Sequence, residues 1–148
     1  MTEATIQDES LPVARDLLFT HGTAETSDLP SAREFFEEVL DLRVVRHSPV
    51  TQLVSGCIDF GVVSINARDK LSPQGAENRW VLSIGDEEAV EQAHRKALES
   101  AFTHEVGDLV RENGITRFTV QDGDFNWWDV TNLPDDYYTS IFEKGDAV

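Results

Sequence analysis

The stretch His21-Gly22-Thr23-Ala24-Glu25-Thr26-Ser27-Asp28-Leu29-Pro30-Ser31-Ala32-Arg33-Glu34-Phe35-Phe36-Glu37-Glu38-Val39-Leu40 decides the fold, because the chain repeats its pattern. Its counterpart runs Arg79-Trp80-Val81-Leu82-Ser83-Ile84-Gly85-Asp86-Glu87-Glu88-Ala89-Val90-Glu91-Gln92-Ala93-His94-Arg95-Lys96-Ala97-Leu98. The offset is 58, the step from His21 to Arg79 and from Asp28 to Asp86. Each aspartate opens a helical pattern. In the first, Ala32, Phe35, Phe36, Val39 and Leu40 fall at i, i+3, i+4, i+7 and i+8, one face of a helix. In the second, Val90, Ala93, His94, Ala97 and Leu98 occupy the same five positions. Asp28 and Asp86 stand where a side-chain oxygen accepts hydrogen bonds from first-turn amides. Pro30 falls in the first turn, where its missing N–H costs little. Duplication of a unit this long implies that neither copy buries its apolar face alone.

Working outward, strands are predicted over Leu17–Thr26 and Arg43–His47, with one or two more within Val50–Arg68, where Gly56 and Gly61 mark bends. Asp69–Asn78, with Pro73 and Gly75, reads as a linker. Arg79–Ile84 opens the second unit, and Glu99–Arg111 reads as loop and short strand. Ile115–Val120 and Trp127–Thr131 form a hairpin around Asp122-Gly123-Asp124-Phe125-Asn126. Each unit is therefore strand, helix and about three strands, an α+β chain of two βαβββ modules. Residues 1–15 read as an N-terminal tail, 16–134 as a single domain (modules about 16–70 and 77–134), and 135–148 as a C-terminal tail. Within that tail, Tyr137-Tyr138-Thr139-Ser140-Ile141-Phe142 is apolar enough to dock on the domain.

Composition narrows the function. A chain of 148 residues with 40 % apolar content supports one sizeable core. No stretch approaches the ~20 apolar residues a spanning helix needs, so no membrane role is expected. The start is acidic and lacks the basic and apolar regions of a secretory signal, so the expected location is cytoplasmic. The net charge is −16, from 28 acidic and 12 basic residues. Phosphate binding needs clustered Lys and Arg, so nucleic acid is not an expected partner. Only Lys70, Lys96 and Lys144 are lysines, and such an acidic protein suits either simple solubility or a high-salt cytoplasm. The single cysteine, Cys57, excludes an internal disulfide and a multi-cysteine zinc site, and reads as a small buried hydrophobe.

With these residues in view, the chain resembles the vicinal oxygen chelate superfamily of glyoxalases, bleomycin-resistance proteins and extradiol dioxygenases. The opening His21, Asp28-Leu29, Phe35-Phe36 and Val39-Leu40 is similar to the family's His, Asp-Leu, Phe-Tyr and Leu-Gly opening, with Asp41 in the usual Gly position. The ending Asp122-Gly123-Asp124-Phe125-Asn126-Trp127-Trp128-Asp129-Val130 is similar to the family's Asp-x-Asp-Gly-Asn-x-Trp-Glu-Leu. The likeness covers roughly residues 17 to 132. It implies two modules forming a half-barrel around a central cavity, a small-molecule substrate or ligand, and a homodimer.

The resemblance also implies four cavity-facing positions that hold a divalent metal (Fe, Mn, Zn or Ni) in metal-using members. They fall on His21, Ser64, Arg79 and Asp129, with His21 and Asp129 as the metal candidates. A neutral His21 ring nitrogen is a good ligand, and Asp129 is a short but workable carboxylate. Ser64 is a poor ligand, and Arg79 stays protonated and would repel a cation, so no metal at all is the other expectation. Alternation along β-strands places Glu25 with His21, and Arg117 and Trp127 with Asp129, as ligand-binding candidates. Arg79 has two readings: a clamp for a carboxylate or enolate, or a structural partner for Asp129. His94 reads as a packed helix-stripe residue, and His47 and His104 as surface or strand residues. Two functions remain open. One is an isomerase, lyase or dioxygenase of the glyoxalase type, with His21, Arg79 and Asp129 catalytic. The alternative is a metal-free binding protein of the bleomycin-resistance kind.

Overall fold

The computed structural model describes residues 21–57, 60–67 and 70–147. The expectations for the tail over 1–15, for the strand start at Leu17 and for the Cys57 side chain lie outside what it describes. Module 1 runs β1 (His21–Thr26), α1 (Leu29–Glu34), β2 (Arg43–Ser48), β3 (Thr51–Cys57) and β4 (Phe60–Asn66). The helix continues beyond α1 as a π-helical stretch over Phe35–Val39. Module 2 runs β5 (Trp80–Ser83), α2 (Glu87–Glu99), β6 (Thr103–Val106), β7 (Val110–Glu112), β8 (Ile115–Asp122) and β9 (Trp127–Thr131). A third helix, α3 (Tyr137–Lys144), lies in the segment expected to be a tail.

The duplication read from the 58-residue offset is visible in the topology. One sheet has the order β1-β4-β3-β2 and the other β5-β9-β8-β6, with β7 beside β8. In each, the opening strand runs parallel to the closing one: Thr23 pairs with Val63, and Val81 with Asp129. The two sheets are not closed into a barrel.

Alternation sends one face of each sheet to the helices and leaves the other open. On the helix side Ala24, Val44, Val54 and Val62 meet Phe35, Phe36, Val39 and Leu40. From module 2, Leu82, Phe118, Val120, Trp128 and Val130 join the same core, under Val90, Ala93 and Ala97. Trp128 links the modules: its ring lies 5.4 Å from Phe36 and 5.6 Å from Trp80, both edge-on. Such contacts add about 1 kcal/mol each beyond simple burial. Gly22 is required at this junction, because a Cβ there would lie 2.0 Å from the Trp80 ring.

Local chemistry bears out most of the helix reading and corrects some of it. Asp86 caps α2 by accepting from the Ala89 amide at 3.0 Å. Asp28 occupies the cap of α1 but accepts instead from the Ser31 hydroxyl. Asp41 adopts φ 56°, the left-handed turn where the resembling family has glycine. The expected stripe of the second helix holds at Val90, Ala93 and Ala97 and fails at Leu98, which is exposed. The straight thirteen-residue α2 turns Leu98 away from the core, whereas the π-helical turn of module 1 keeps Leu40 inside. His94 packs edge-on against Phe118 at 4.9 Å and hydrogen-bonds the Gly107 carbonyl at 2.8 Å.

Candidate functional site

The closing hairpin builds the site's frame. Asp122 is buried and accepts from the amides of Asp124 and Asn126, both at 2.9 Å. It also accepts from the Trp128 indole at 3.0 Å and the Asn126 side-chain amide at 3.3 Å. Burial pushes its carboxyl above the usual range, while these donors pull it down. The same loop ties the modules together. Asp124 accepts from the Ser27 amide and hydroxyl at 3.1 and 3.0 Å. Asn126 donates to the Glu25 carbonyl at 3.0 Å and accepts from the Gln74 amide at 2.8 Å. The Asp-x-Asp-x-Asn pattern is thus the structural clasp that fixes β9.

From that frame β9 directs Trp128 and Val130 to the core, and Trp127, Asp129 and Thr131 to the open face. On β8, Phe118 and Val120 face the core while Arg117, Thr119 and Gln121 share the open face. Asp129 is the focus. Its Oδ2 lies 3.4 Å from an Arg79 nitrogen and 3.5 Å from an Arg117 nitrogen. Its Oδ1 is buried without a hydrogen-bond partner, as are Arg79 Nε and Thr131 Oγ1. Arg79 is held from the other side by donation to the Ala76 carbonyl at 2.7 Å. A cavity of about 320 Å³ opens beside this group, lined by Arg117, Asp129, Thr131, Val81, Tyr137 and Tyr138 among others.

Two of these unpartnered buried atoms, Asp129 Oδ1 and Thr131 Oγ1, belong to residues that line the cavity, and the third to Arg79, which pairs with Asp129; most such groups are satisfied, and each unmet one costs about 1–3 kcal/mol. The two cavity-lining residues present one acceptor and one hydroxyl able to donate or accept, beside the Arg117 guanidinium. The arrangement suits a ligand with an oxyanion next to a hydroxyl or other donor.

The other expected residues disperse. His21 is exposed at the start of β1, on the open side, and does not line the cavity. Glu25 shares that side, but its carboxylate accepts from the Ser72 amide at 2.7 Å and so holds the linker. Trp127 is half-buried on the open face of β9. Ser64 is placed differently from the expectation: it pairs with Ala24, shares the helix side and is fully buried there. The register gives the reason. Asp129 pairs with Val81, and the module 1 equivalent of that pair is Thr23 with Val63. The open-face position is therefore Val63, one residue earlier. Tyr137 and Tyr138 are lining residues that the sequence reading did not name as site residues, whereas Thr131 shares the face of Asp129 as strand alternation implies. The apolarity of the Tyr137–Phe142 segment was the available signal.

A metal does not fit the donor set. Of the four equivalent positions, Val63 has no donor atom and Arg79 is a fixed cation already paired with Asp129. That leaves His21 and Asp129, and among the described residues no group of three or more His, Cys, Asp or Glu side chains converges on a point. Among the described residues, too, no helix is long and apolar enough to cross a membrane.

No family model and no curated protein matches the chain. Solved structures do match by shape. Oxidase ChaP-H2 is 12 % identical, with a TM-score of 0.67 over 80 % of this chain and 95 % of that one. A glyoxalase/bleomycin resistance protein from Albidiferax ferrireducens T118 is 12 % identical, with a TM-score of 0.65 over 78 % and 98 %. The fosfomycin resistance protein FosX from Mesorhizobium loti is 14 % identical, with a TM-score of 0.63 over 84 % and 98 %. At these identities the likeness concerns the fold: this chain has the vicinal oxygen chelate fold.

Proposed function

We propose that the chain is a glyoxalase-like, metal-independent isomerase or lyase acting on a small oxygenated molecule that carries an oxyanion beside a hydroxyl. The observation that carries this reading is the Asp129 carboxylate, which has one oxygen between two guanidiniums and the other buried and open. A pocket that only stores its ligand has no need of an unpaired buried carboxylate. Here Arg117, which lines the cavity, holds the substrate oxyanion and stabilises charge that develops on it, while Arg79 holds Asp129 in place. Asp129 Oδ1 accepts the proton of the neighbouring hydroxyl or C–H, as a general base must from hydrogen-bond reach. Thr131 fixes the substrate's orientation through its free hydroxyl. Tyr137, Tyr138, Val81 and Leu133 supply an apolar wall for the substrate's carbon frame.

A second reading has its own support. His21, a catalytic candidate, does not line the cavity, which favours a metal-free binding protein of the bleomycin-resistance kind. A panel of 2-hydroxy acids, diols, hemithioacetals and epoxides separates the two, read by turnover and by melting temperature. Asp129→Asn keeps the side chain's shape and removes the base. The enzyme reading expects turnover by the parent chain and its loss in Asp129→Asn, with the melting shift largely kept. A ligand that raises the melting temperature of both without turning over points to the binding protein.

A further inference from the structure

A second cavity lies on the helix side of the sheets and shares no lining residue with the one beside Asp129. Its volume is about 330 Å³, and it opens between the start of α1 and the closing hairpin. Three carboxylates line it, those of Asp28, Asp122 and Asp124, together with the rings of Phe35, Phe102 and His104. No lysine or arginine is among its lining residues. His104 is the one lining side chain able to carry positive charge. It is stacked on Phe125 at 4.3 Å and its Nε2 lies 3.2 Å from the Gly123 carbonyl. Among the described residues it forms no ion pair with Asp28 or Asp124.

The module clasp uses these carboxylates unequally. Asp122 is engaged through both oxygens by four donors. Asp124 is only 8 % exposed, and its Oδ1 takes both Ser27 donors. Its Oδ2 has no hydrogen bond or ion pair among the described residues, yet it is not enclosed by protein atoms, so it faces the cavity that Asp124 lines. A carboxylate oxygen in so buried a residue calls for a donor or a cation. Burial, and behind it the charge of Asp124, lifts the Asp122 carboxyl above its usual range. A cation beside Asp124 relieves that repulsion.

We infer that this cavity is a binding site for a small organic ammonium ion, with Asp124 Oδ2 and Asp28 as its counter-charges and Phe35, Phe102 and His104 around its carbon frame. The walls select an organic cation over a bare metal ion. Among the described residues no three His, Cys, Asp or Glu side chains converge, and a metal ion would meet rings where it needs oxygen or nitrogen donors. Aromatic walls attract an ammonium as well as an apolar body. The volume stands at the low end of the ~300–1,000 Å³ of small-molecule pockets, so a one-ring amine fits.

The test is isothermal titration of the full-length chain with 2-phenylethylammonium chloride in about 150 mM NaCl, which screens the diffuse attraction of an acidic protein for any cation. Saturable binding with a dissociation constant of about 1 mM or tighter is expected. The neutral 2-phenylethanol, with the same frame, should not bind. Asp124→Asn keeps the oxygen that accepts from Ser27 and removes the charge, so affinity should fall at least about ten-fold. Asp28 is exposed, and Asp28→Asn should weaken binding about two- to five-fold with unchanged circular dichroism. Asp129→Asn, at the other cavity, should leave the affinity as it was. A parent that does not bind overturns the inference, as does equal binding of the alcohol or a loss of affinity in Asp129→Asn. So does a folded Asp124→Asn that binds like the parent. If that variant fails to fold, Asp28→Asn decides, and undiminished binding there overturns the inference.

Discussion

The two open faces share one blueprint and differ in chemistry. The register lays Asp129 of module 2 over Val63 of module 1, Thr131 over Ile65, Thr119 over Leu53 and Arg79 over His21. Module 2 has a carboxylate between two guanidiniums and a buried free hydroxyl. Module 1 has a strip of aliphatic side chains. The core beneath is common to both, so the backbone tolerates either face. The difference teaches that the fold is fixed on the helix side, whereas the chemistry is set by about four alternating positions on the other.

The largest expected effect breaks the clasp that only module 2 carries. Asp122→Ala leaves four donors without their acceptor, and should cost about 3 kcal/mol or more in urea unfolding. Asp122 also gives a pH signature. Its folded carboxyl lies above the usual range. Its contribution is therefore full at low pH, and falls as pH rises from the ordinary carboxylate range through the folded value. The parent should lose stability over that interval relative to Asp122→Asn, whatever the other groups do; parallel pH profiles would contradict this.

Next in size is the conversion of one face into the other. Asp129→Val gives module 2 the residue of module 1 and leaves Arg79 and Arg117 facing each other unneutralised. Because both guanidiniums are a third or more exposed, the expected loss is about 1–2 kcal/mol rather than the ~3–5 kcal/mol of a fully buried pair. Ligand-induced melting shifts should vanish. A variant that still responds to the ligand panel would place the site elsewhere. The reverse change, Val63→Asp, should cost about 1 kcal/mol or less on its half-buried face and create no ligand response. The smallest effect belongs to Glu25→Gln. It weakens the hold on the Ser72 amide, and a change of about 0.5 kcal/mol with unaltered ligand response is expected. A lost response would return Glu25 to the site.

Most of the fold was legible because it rests on periodicity. The Phe35-Phe36 and Val90-Ala93 stripes and the alternation of Phe118, Val120, Trp128 and Val130 all follow from packing one face against helices. The Arg79–Asp129 pair was also anticipated as one of two readings. Other features depend on register or on distant contacts. Ser64 and Val63 differ by one residue, and one residue exchanges the faces of a strand. Glu25's engagement with Ser72 spans 47 positions, which no local pattern encodes. The cavity wall from Tyr137 and Tyr138 depends on where α3 turns back after Pro134.

The most direct test of a metal-independent site is the metal content of purified, tag-free protein by mass spectrometry, with His21→Ala and Asp129→Ala alongside. The account predicts well under one equivalent of iron, manganese, zinc or nickel per chain, unchanged in both variants and after reconstitution. Near-stoichiometric metal that disappears in both variants would contradict it, and would mean that Arg79 leaves Asp129 when a cation binds.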